Sequence, residues 1–399
     1  MPDRRFEHDL SDRGRTVRVV YFAPDFTEVP TIARARAFQD HGLKPAVFAF
    51  RRGRYNHTFR APWPEIDLGR TKDGHYLQRL VALCRSLPAL WGGRHLLRRA
   101  TVLYARNLDQ LGLALVARLL CRNRAAIVYE VLDIAPGLTH RGQLGRVLRS
   151  VERRLLGRIA LLVVSSPGFI KNYYRPIQRY GGRTFLLENK LYPSTSLDHQ
   201  TEPPRALEVA RRRHQWVVGC FGLIRGQETF DLITRLAERL SGKVLFYFRG
   251  IVTTVDAEHF TRTVAAHDNM VYGGAYVNPD DLPELYGSVD FAWSLDLEHT
   301  DANSRWLMPC RFYEAGAFGV PCLAARHFEI GNRVDELGTG WTFAPPYEEN
   351  IARFFEQLTR EDYDRVLRRL RELPPNTFIA GDDVTALCRM LAQGCETSA

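Results

Sequence analysis

The feature that most restricts how this chain can fold is a rhythm. Short apolar runs end in polar loops, each loop leads into a longer amphipathic segment, and the whole series occurs twice. Strands that alternate with helices form parallel sheets, because parallel neighbours need a long crossover and a helix packed on the sheet supplies it. In the first series Val17–Ala23, Pro45–Phe50, Val102–Ala105, Ile127–Val131 and Ala160–Ser165 read as strands. Thr31–His41, Leu108–Cys121 and Leu144–Leu156 read as helices between them, the first stopping at Gly42. The second series predicts strands Trp216–Phe221, Lys243–Phe248, Asn269–Tyr272, Val289–Ser294 and Val320–Ala324. Helices Thr229–Leu240, Ala257–His267, Pro279–Tyr286 and Met308–Phe318 lie between or beside them. The strands carry little polar alternation, so both faces of each sheet are covered.

Length agrees with two such sheets. A chain of 399 residues, 45% hydrophobic, exceeds what one core holds, about 250–300 residues. The cluster Pro193, Ser194, Thr195, Ser196, Pro203 and Pro204 marks a connector. The predicted organisation is therefore an acceptor-side domain 1–190, a linker 191–206, a second domain 207–375, and a helix in 376–399 that returns to the first domain. Two doubly wound sheets facing one another bring their carboxyl ends to a cleft, where open α/β sheets take ligands.

Several classes are excluded at this point. No run approaches the roughly 20 apolar residues of a membrane span; the longest is Ile159–Val164. Met1–Arg15 is too charged for a secretory leader, so the expected location is the cytoplasm. The seven cysteines are dispersed without a C-x-x-C pair, which reads as reduced thiols and no zinc site. Charge is lopsided: residues 1–200 hold 34 Lys and Arg against 16 Asp and Glu, whereas 201–399 hold 21 against 29. One half suits a polyanion or an anionic membrane, and the other must hold an anionic ligand through a few placed groups. Nucleic acid is not the expected partner, because the basic residues lack aromatic interleaving or a recognised module.

The most informative segment runs from Asp290-Phe-Ala-Trp-Ser-Leu-Asp296 through Asn303-Ser-Arg-Trp-Leu-Met-Pro-Cys-Arg-Phe-Tyr-Glu314-Ala-Gly-Ala-Phe-Gly319-Val-Pro321. It reads as a strand, a polar loop, a helix start and a second strand. A helix start offers unpaired N–H groups and a positive dipole end to a diphosphate. Glu314 can accept hydrogen bonds from vicinal ribose hydroxyls, or else it is a structural residue of the helix. Ser304, Arg305 and Arg311 flank it. Upstream, Gly219-Cys-Phe-Gly222-Leu-Ile-Arg225-Gly226 follows the first strand of this series. Gly222 permits close backbone approach, and Arg225 suits a charge-assisted contact to phosphate. Arg249 ends the next strand as a further phosphate candidate.

This wording resembles the family-4 type of GT-B glycosyltransferases, and within it bacterial exopolysaccharide enzymes of the succinoglycan-assembly kind. The resemblance implies two facing Rossmann-like domains. It implies a donor such as a UDP-sugar on Glu314, Ser304, Arg305, Arg311, Arg225, Gly222 and Arg249, with no bound metal or other cofactor. The family places another Glu eight positions before the ribose-binding one, where this chain has Trp306, and a Lys often found two residues after the arginine is here Gln227. The anomeric outcome is therefore left open.

In the first domain the acids at strand ends are candidates for the base that takes the acceptor hydroxyl's proton. Asp25, just past the first strand, is the first choice, with Glu130 and Asp133 at the end of Ile127–Val131 next. Asp109 serves equally as a helix cap. For the acceptor, Tyr76–Arg99 mixes apolar residues with Arg79, Arg85, Arg94, Arg98 and Arg99, a pattern that suits either an anionic lipid surface or an ordinary helix with a basic face. Arg51, Arg52, Arg54 and Arg60 add charge for a polyprenyl-diphosphate-linked saccharide. The reading is a glycosyltransferase peripheral to the inner face of the membrane. The alternatives are a UDP-sugar epimerase of the same fold and a non-catalytic binding protein.

Overall fold

A computed structural model of the protein describes residues 16–52, 59–71, 76–193, 195, 197, 205–298 and 302–393. Arg54, the amino-terminal Met1–Arg15 and most of 191–206 lie outside the described residues. The chain forms two compact units. One comprises the chain up to Leu187 together with the helix Asp382–Ala392, and the other comprises Glu188–Gly381.

The first unit is built on β1 (Arg18–Ala23), β2 (Lys44–Arg51), β3 (Glu65–Arg70), β4 (Val102–Arg106), β5 (Ala126–Val131), β6 (Leu161–Val164) and β7 (Thr184–Leu186). They pair in the order β3-β2-β1-β4-β5-β6-β7, and every ladder is parallel. The central strands are buried from end to end, β4 without exception. The carboxy-terminal helix belongs to this unit: Thr385 Oγ1 lies 2.9 Å from His41 Nε2, and the Cys388 thiol lies 3.9 Å from the Ala37 carbonyl.

The second unit carries β8 (Trp216–Ile224), β9 (Val244–Val252), β10 (Met270–Tyr272), β11 (Phe291–Trp293), β12 (Cys322–Ala325) and β13 (Gly340–Phe343). Their order is β10-β9-β8-β11-β12-β13, again all parallel. An aromatic core including Trp216, Phe291, Phe355 and Tyr363 packs against it.

Three strands are additional to those read from the sequence: β3, β7 and β13. Of β3 only Leu68 is buried, and the strand order puts all three at a sheet edge. An edge strand faces fewer apolar neighbours and needs no apolar run. Tyr76–Arg99 is not one helix but three, Tyr76–Arg85, Leu87–Gly92 and Arg94–Arg99. Pro88 starts the second, and Gly93 ends it and begins the third.

In each unit the strand order reverses once, between β1 and β4 and between β8 and β11. Loops leaving the carboxyl ends at such a reversal diverge to opposite faces of the sheet and leave a crevice.

Candidate functional site

At the reversal of the second unit, β8 ends in Ile224 and delivers Arg225. Its Nε and Nη2 donate to Asp296 Oδ2 at 3.1 and 2.7 Å, and Nε lies 3.3 Å from Glu298 Oε2. Asp296 follows β11, so the ion pair spans the crevice predicted from topology. The backbone under it requires glycine. Gly222 and Gly250 both have positive φ, and a Cβ on Gly250 would lie 1.8 Å from the Gly222 carbonyl oxygen.

The helix Cys310–Ala317 starts at Pro309, which brings no side-chain acceptor to its first turn. Arg311 donates from Nη1 to the Trp293 carbonyl at 3.1 Å, which holds it at the end of β11. Arg225 and Arg311 line one hollow with Asp296, Trp293 and Leu295. Glu314, one turn on, is buried: Oε1 accepts from Asn278 Nδ2 at 3.1 Å and Oε2 from Tyr286 Oη at 2.9 Å. Burial pushes its carboxyl above the usual carboxylate range, against the opposing pull of those two donors and of the Arg311 charge. Each carboxylate oxygen has two lone pairs, so each accepted bond leaves capacity for another.

Arg249 is differently placed. Its guanidinium donates to Tyr247 Oη at 3.1 Å, Glu284 Oε1 at 3.0 Å and the Ala275 carbonyl at 3.2 Å. It braces the loop after β10 and is almost wholly buried. Ser304 donates to the Glu298 carbonyl, which ties the short helix Asn303–Trp306 to the loop carrying Asp296. Arg305 is exposed and lies over the Phe328 ring, 5.6 Å from its centroid; it does not line the hollow shared by Arg225 and Arg311. Sequence reasoning missed Asn278, Tyr286 and Tyr276. Burial raises the Tyr276 hydroxyl, and Glu314 nearby raises it further. The available signal was Gly273-Gly274 followed by Asn278-Pro279, a loop mark directly after a strand.

In the first unit the reversal is lined by ion pairs. Arg106, ending β4, donates from Nη2 to Glu28 Oε2 at 2.5 Å and Thr31 Oγ1 at 2.7 Å. Glu28 Oε1 also accepts from Arg52 at 3.0 Å. Glu28 therefore bridges two arginines, a role the sequence did not single out although its loop did. Asp25 is fully enclosed: Oδ1 accepts from the Thr27 amide and hydroxyl, both at 2.9 Å, and Oδ2 from the Arg52 amide at 3.1 Å. Glu130 is buried against Arg34, with Nη2 at 2.8 Å and Nε at 3.0 Å from Oε1. Asp133, beyond β5, is exposed. Among the described residues no group of three or more His, Cys, Asp or Glu converges as metal ligands.

Solved structures similar to this architecture decide its fold. Anabaena HepE, crystallised with UDP and glucose, superposes with a TM-score of 0.66 over 94% of this chain and 100% of that one, at 15% identity. WaaG, described as a glycosyltransferase involved in lipopolysaccharide biosynthesis, gives 0.64 over 95% and 100%, at 14% identity.

The fold is GT-B.

No family model matches the chain. In sequence it is similar to the succinoglycan biosynthesis protein ExoL of Rhizobium meliloti (strain 1021), 29% identical over 384 residues that cover 94% of this chain and 93% of that protein. The GT-B architecture extends through both units, and the similarity to ExoL spans almost the same length.

Proposed function

We propose that this GT-B chain is a glycosyltransferase of exopolysaccharide assembly that moves a sugar from a nucleoside diphosphate donor to a lipid-linked saccharide. The observation that carries the reading is the meeting of Arg225 and Arg311 in one hollow at the strand-order reversal of the second unit; Glu314 lies one turn beyond Arg311 and is not among the residues that line that hollow. There two cations meet a helix start, with a buried carboxylate one turn away. That set matches a diphosphate and a ribose diol. Similarity to ExoL points to exopolysaccharide, and the HepE crystals with UDP and with UDP-glucose point to a UDP-linked sugar.

In this reading Asp296 and Glu298 hold the Arg225 guanidinium in position before the donor arrives, and Arg311, tied to the Trp293 carbonyl, lines the same hollow. As the bond to the anomeric carbon breaks, charge grows on the leaving diphosphate, and fixed cations stabilise that state more than the ground state. The arginines and the helix dipole supply this stabilisation without a metal. Ser304 and Arg305 shape the loop beside the donor, and Arg249 holds the loop that carries Asn278 to Glu314. On the acceptor side Asp133 is the exposed strand-end carboxylate and takes the hydroxyl proton, while Asp25 and Glu130 fix the surrounding loops.

The acceptor's lipid places the protein at the cytoplasmic face of a membrane. No helix among the described residues is long and apolar enough to cross one, so contact is peripheral. Trp91, exposed with Arg94 over its ring at 5.2 Å, is the anchor in Tyr76–Arg99.

Isothermal titration with UDP, followed by assay of UDP release from UDP-sugars in the presence of polyprenyl-diphosphate saccharide and chelator, tests the whole reading. Micromolar UDP binding and chelator-resistant turnover are expected. Absence of UDP binding at millimolar concentration rules the reading out.

A further inference from the structure

The first unit carries a second surface with no part in the site above. The helices Leu108–Leu120 and Gln143–Leu156 lie side by side, and each leaves large apolar side chains in solvent. Val116, Leu119 and Leu120 are exposed on the first, and Leu144, Val147 and Val151 on the second. Leu119 is 78% exposed and Val147 59%. Positions 144, 147, 151 and 154 follow helical spacing, so the exposed apolar side chains of the second helix share a face with Arg154, and Arg158 lies just beyond the helix end. The two helices meet at a groove of about 530 Å³ walled by Val116, Leu119 and Leu155.

Four arginines, Arg118, Arg122, Arg154 and Arg158, rim that groove. Among the described residues none of the four is paired with a carboxylate. Within the two helices the acids are Asp109, in the first turn, and Glu152. Glu152 points inward, where Tyr129, Tyr173, Tyr174 and Gln178 donate to it. Burial lowers the proton affinity of Arg118, and the like charge of Arg158 lowers it further. Elsewhere in the same unit buried arginines are neutralised: Arg34 by Glu130 and Arg106 by Glu28.

Exposed apolar side chains rimmed by charge mark an interaction surface; Val116 and Leu119 line this groove, and its rim is of one sign. An anionic phospholipid matches both halves at once, its phosphate meeting the arginines and its acyl chain the leucines and valines. A soluble anion would leave Val116 and Leu119 in water, and an apolar partner would leave four like charges uncompensated.

We infer that the groove between Leu108–Leu120 and Gln143–Leu156 docks on an anionic bilayer, with a phospholipid phosphate held among Arg118, Arg122, Arg154 and Arg158. This rests on the membrane-peripheral reading given above and adds to it a contact that adjoins the helix Arg94–Arg99, since Asn123 of the groove wall donates to the Leu97 and Ala100 carbonyls.

The test is flotation of the full chain with phosphatidylcholine vesicles and with vesicles containing phosphatidylglycerol. The wild-type protein floats with the anionic vesicles only. Removing one arginine near an anionic surface lowers partitioning about five-fold. The pair Arg118→Gln with Arg158→Gln is therefore expected to bind roughly twenty-five-fold more weakly. Leu119→Ser with Val147→Ser removes the binding that survives high salt. All four positions lie at the surface or its margin, and unchanged circular dichroism confirms folding. Trp91→Ser is the parallel variant in the other segment. If the groove variants float like wild type while Trp91→Ser does not, the groove inference is overturned and the membrane reading stands. If wild type floats with neither vesicle, both fall. Equal loss of heparin binding in the arginine pair, with flotation unchanged, assigns the groove to a soluble polyanion and also overturns the inference.

Discussion

Arg225, just beyond β8, and Asp296, just beyond β11, form an ion pair whose two N–O distances are 3.1 and 2.7 Å, across the place where the strand order of the second unit reverses. The pair is partly exposed, so its own contribution to stability is small. Its consequence is positional, since it fixes a cation at the mouth of the hollow.

Replacing Arg225 by Ala removes a charge-assisted contact to the diphosphate. UDP affinity is expected to fall about 10- to 100-fold, the equivalent of roughly 1.5–3 kcal/mol. Asp296→Asn should cost less, because the arginine remains but loses its orientation. In a double-mutant cycle measured by calorimetry the two effects should be non-additive. Full additivity would detach Asp296 from the site.

Glu314→Ala is expected to weaken UDP binding by about ten-fold or more, since the ribose loses its acceptor and Asn278 and Tyr286 lose theirs. Comparing UDP with 2′-deoxy-UDP isolates the ribose. The wild-type protein should discriminate between them and the variant should not. Discrimination that persists in the variant removes Glu314 from the ribose.

The acids of the first unit separate by burial. Asp133→Asn is expected to reduce turnover at least 100-fold with UDP affinity intact. Asp25→Asn should instead lower stability by about 1–3 kcal/mol, because a buried carboxylate that accepts three hydrogen bonds is replaced. Chemical denaturation and steady-state assay of both variants check this. Normal turnover in Asp133→Asn would move the base elsewhere.

Glu152 gives a pH prediction. It is fully buried, and burial raises its carboxyl above the usual range despite donors from Tyr173, Tyr129, Gln178 and Tyr174. A group with a raised folded value favours the folded state most at pH below its unfolded value, near 4.5. That contribution is lost as pH rises through the folded value. Thermal melts of Glu152→Gln against wild type should therefore show the difference shifting toward the variant as pH rises from about 4.5, then levelling off. A constant difference across that window would show that Glu152 is not shifted.

The sequence by itself determined the parallel-sheet class, because strands covered on both faces are largely apolar and β1, β4, β5, β8 and β9 are, with Arg106, Glu130 and Arg249 as buried charges among them. It also determined the segment around Glu314, where a strand, a loop and a helix start follow in fixed order. Edge strands β3, β7 and β13 escaped it, since solvent on one side relaxes the apolar requirement. The pairings were equally beyond it. Arg249, inside β9, and Arg225, just past β8, both stand near the carboxyl end of a strand, yet one is a buried brace and the other lines the hollow. Asp25 and Asp133 are both loop acids, yet one is enclosed and the other exposed. Which charges meet depends on contacts 71 residues apart, as for Arg225 and Asp296, or 96, as for Arg34 and Glu130. Local pattern fixes what a residue can do; burial and partners, which exist only once distant strands are side by side, decide which of those things it does.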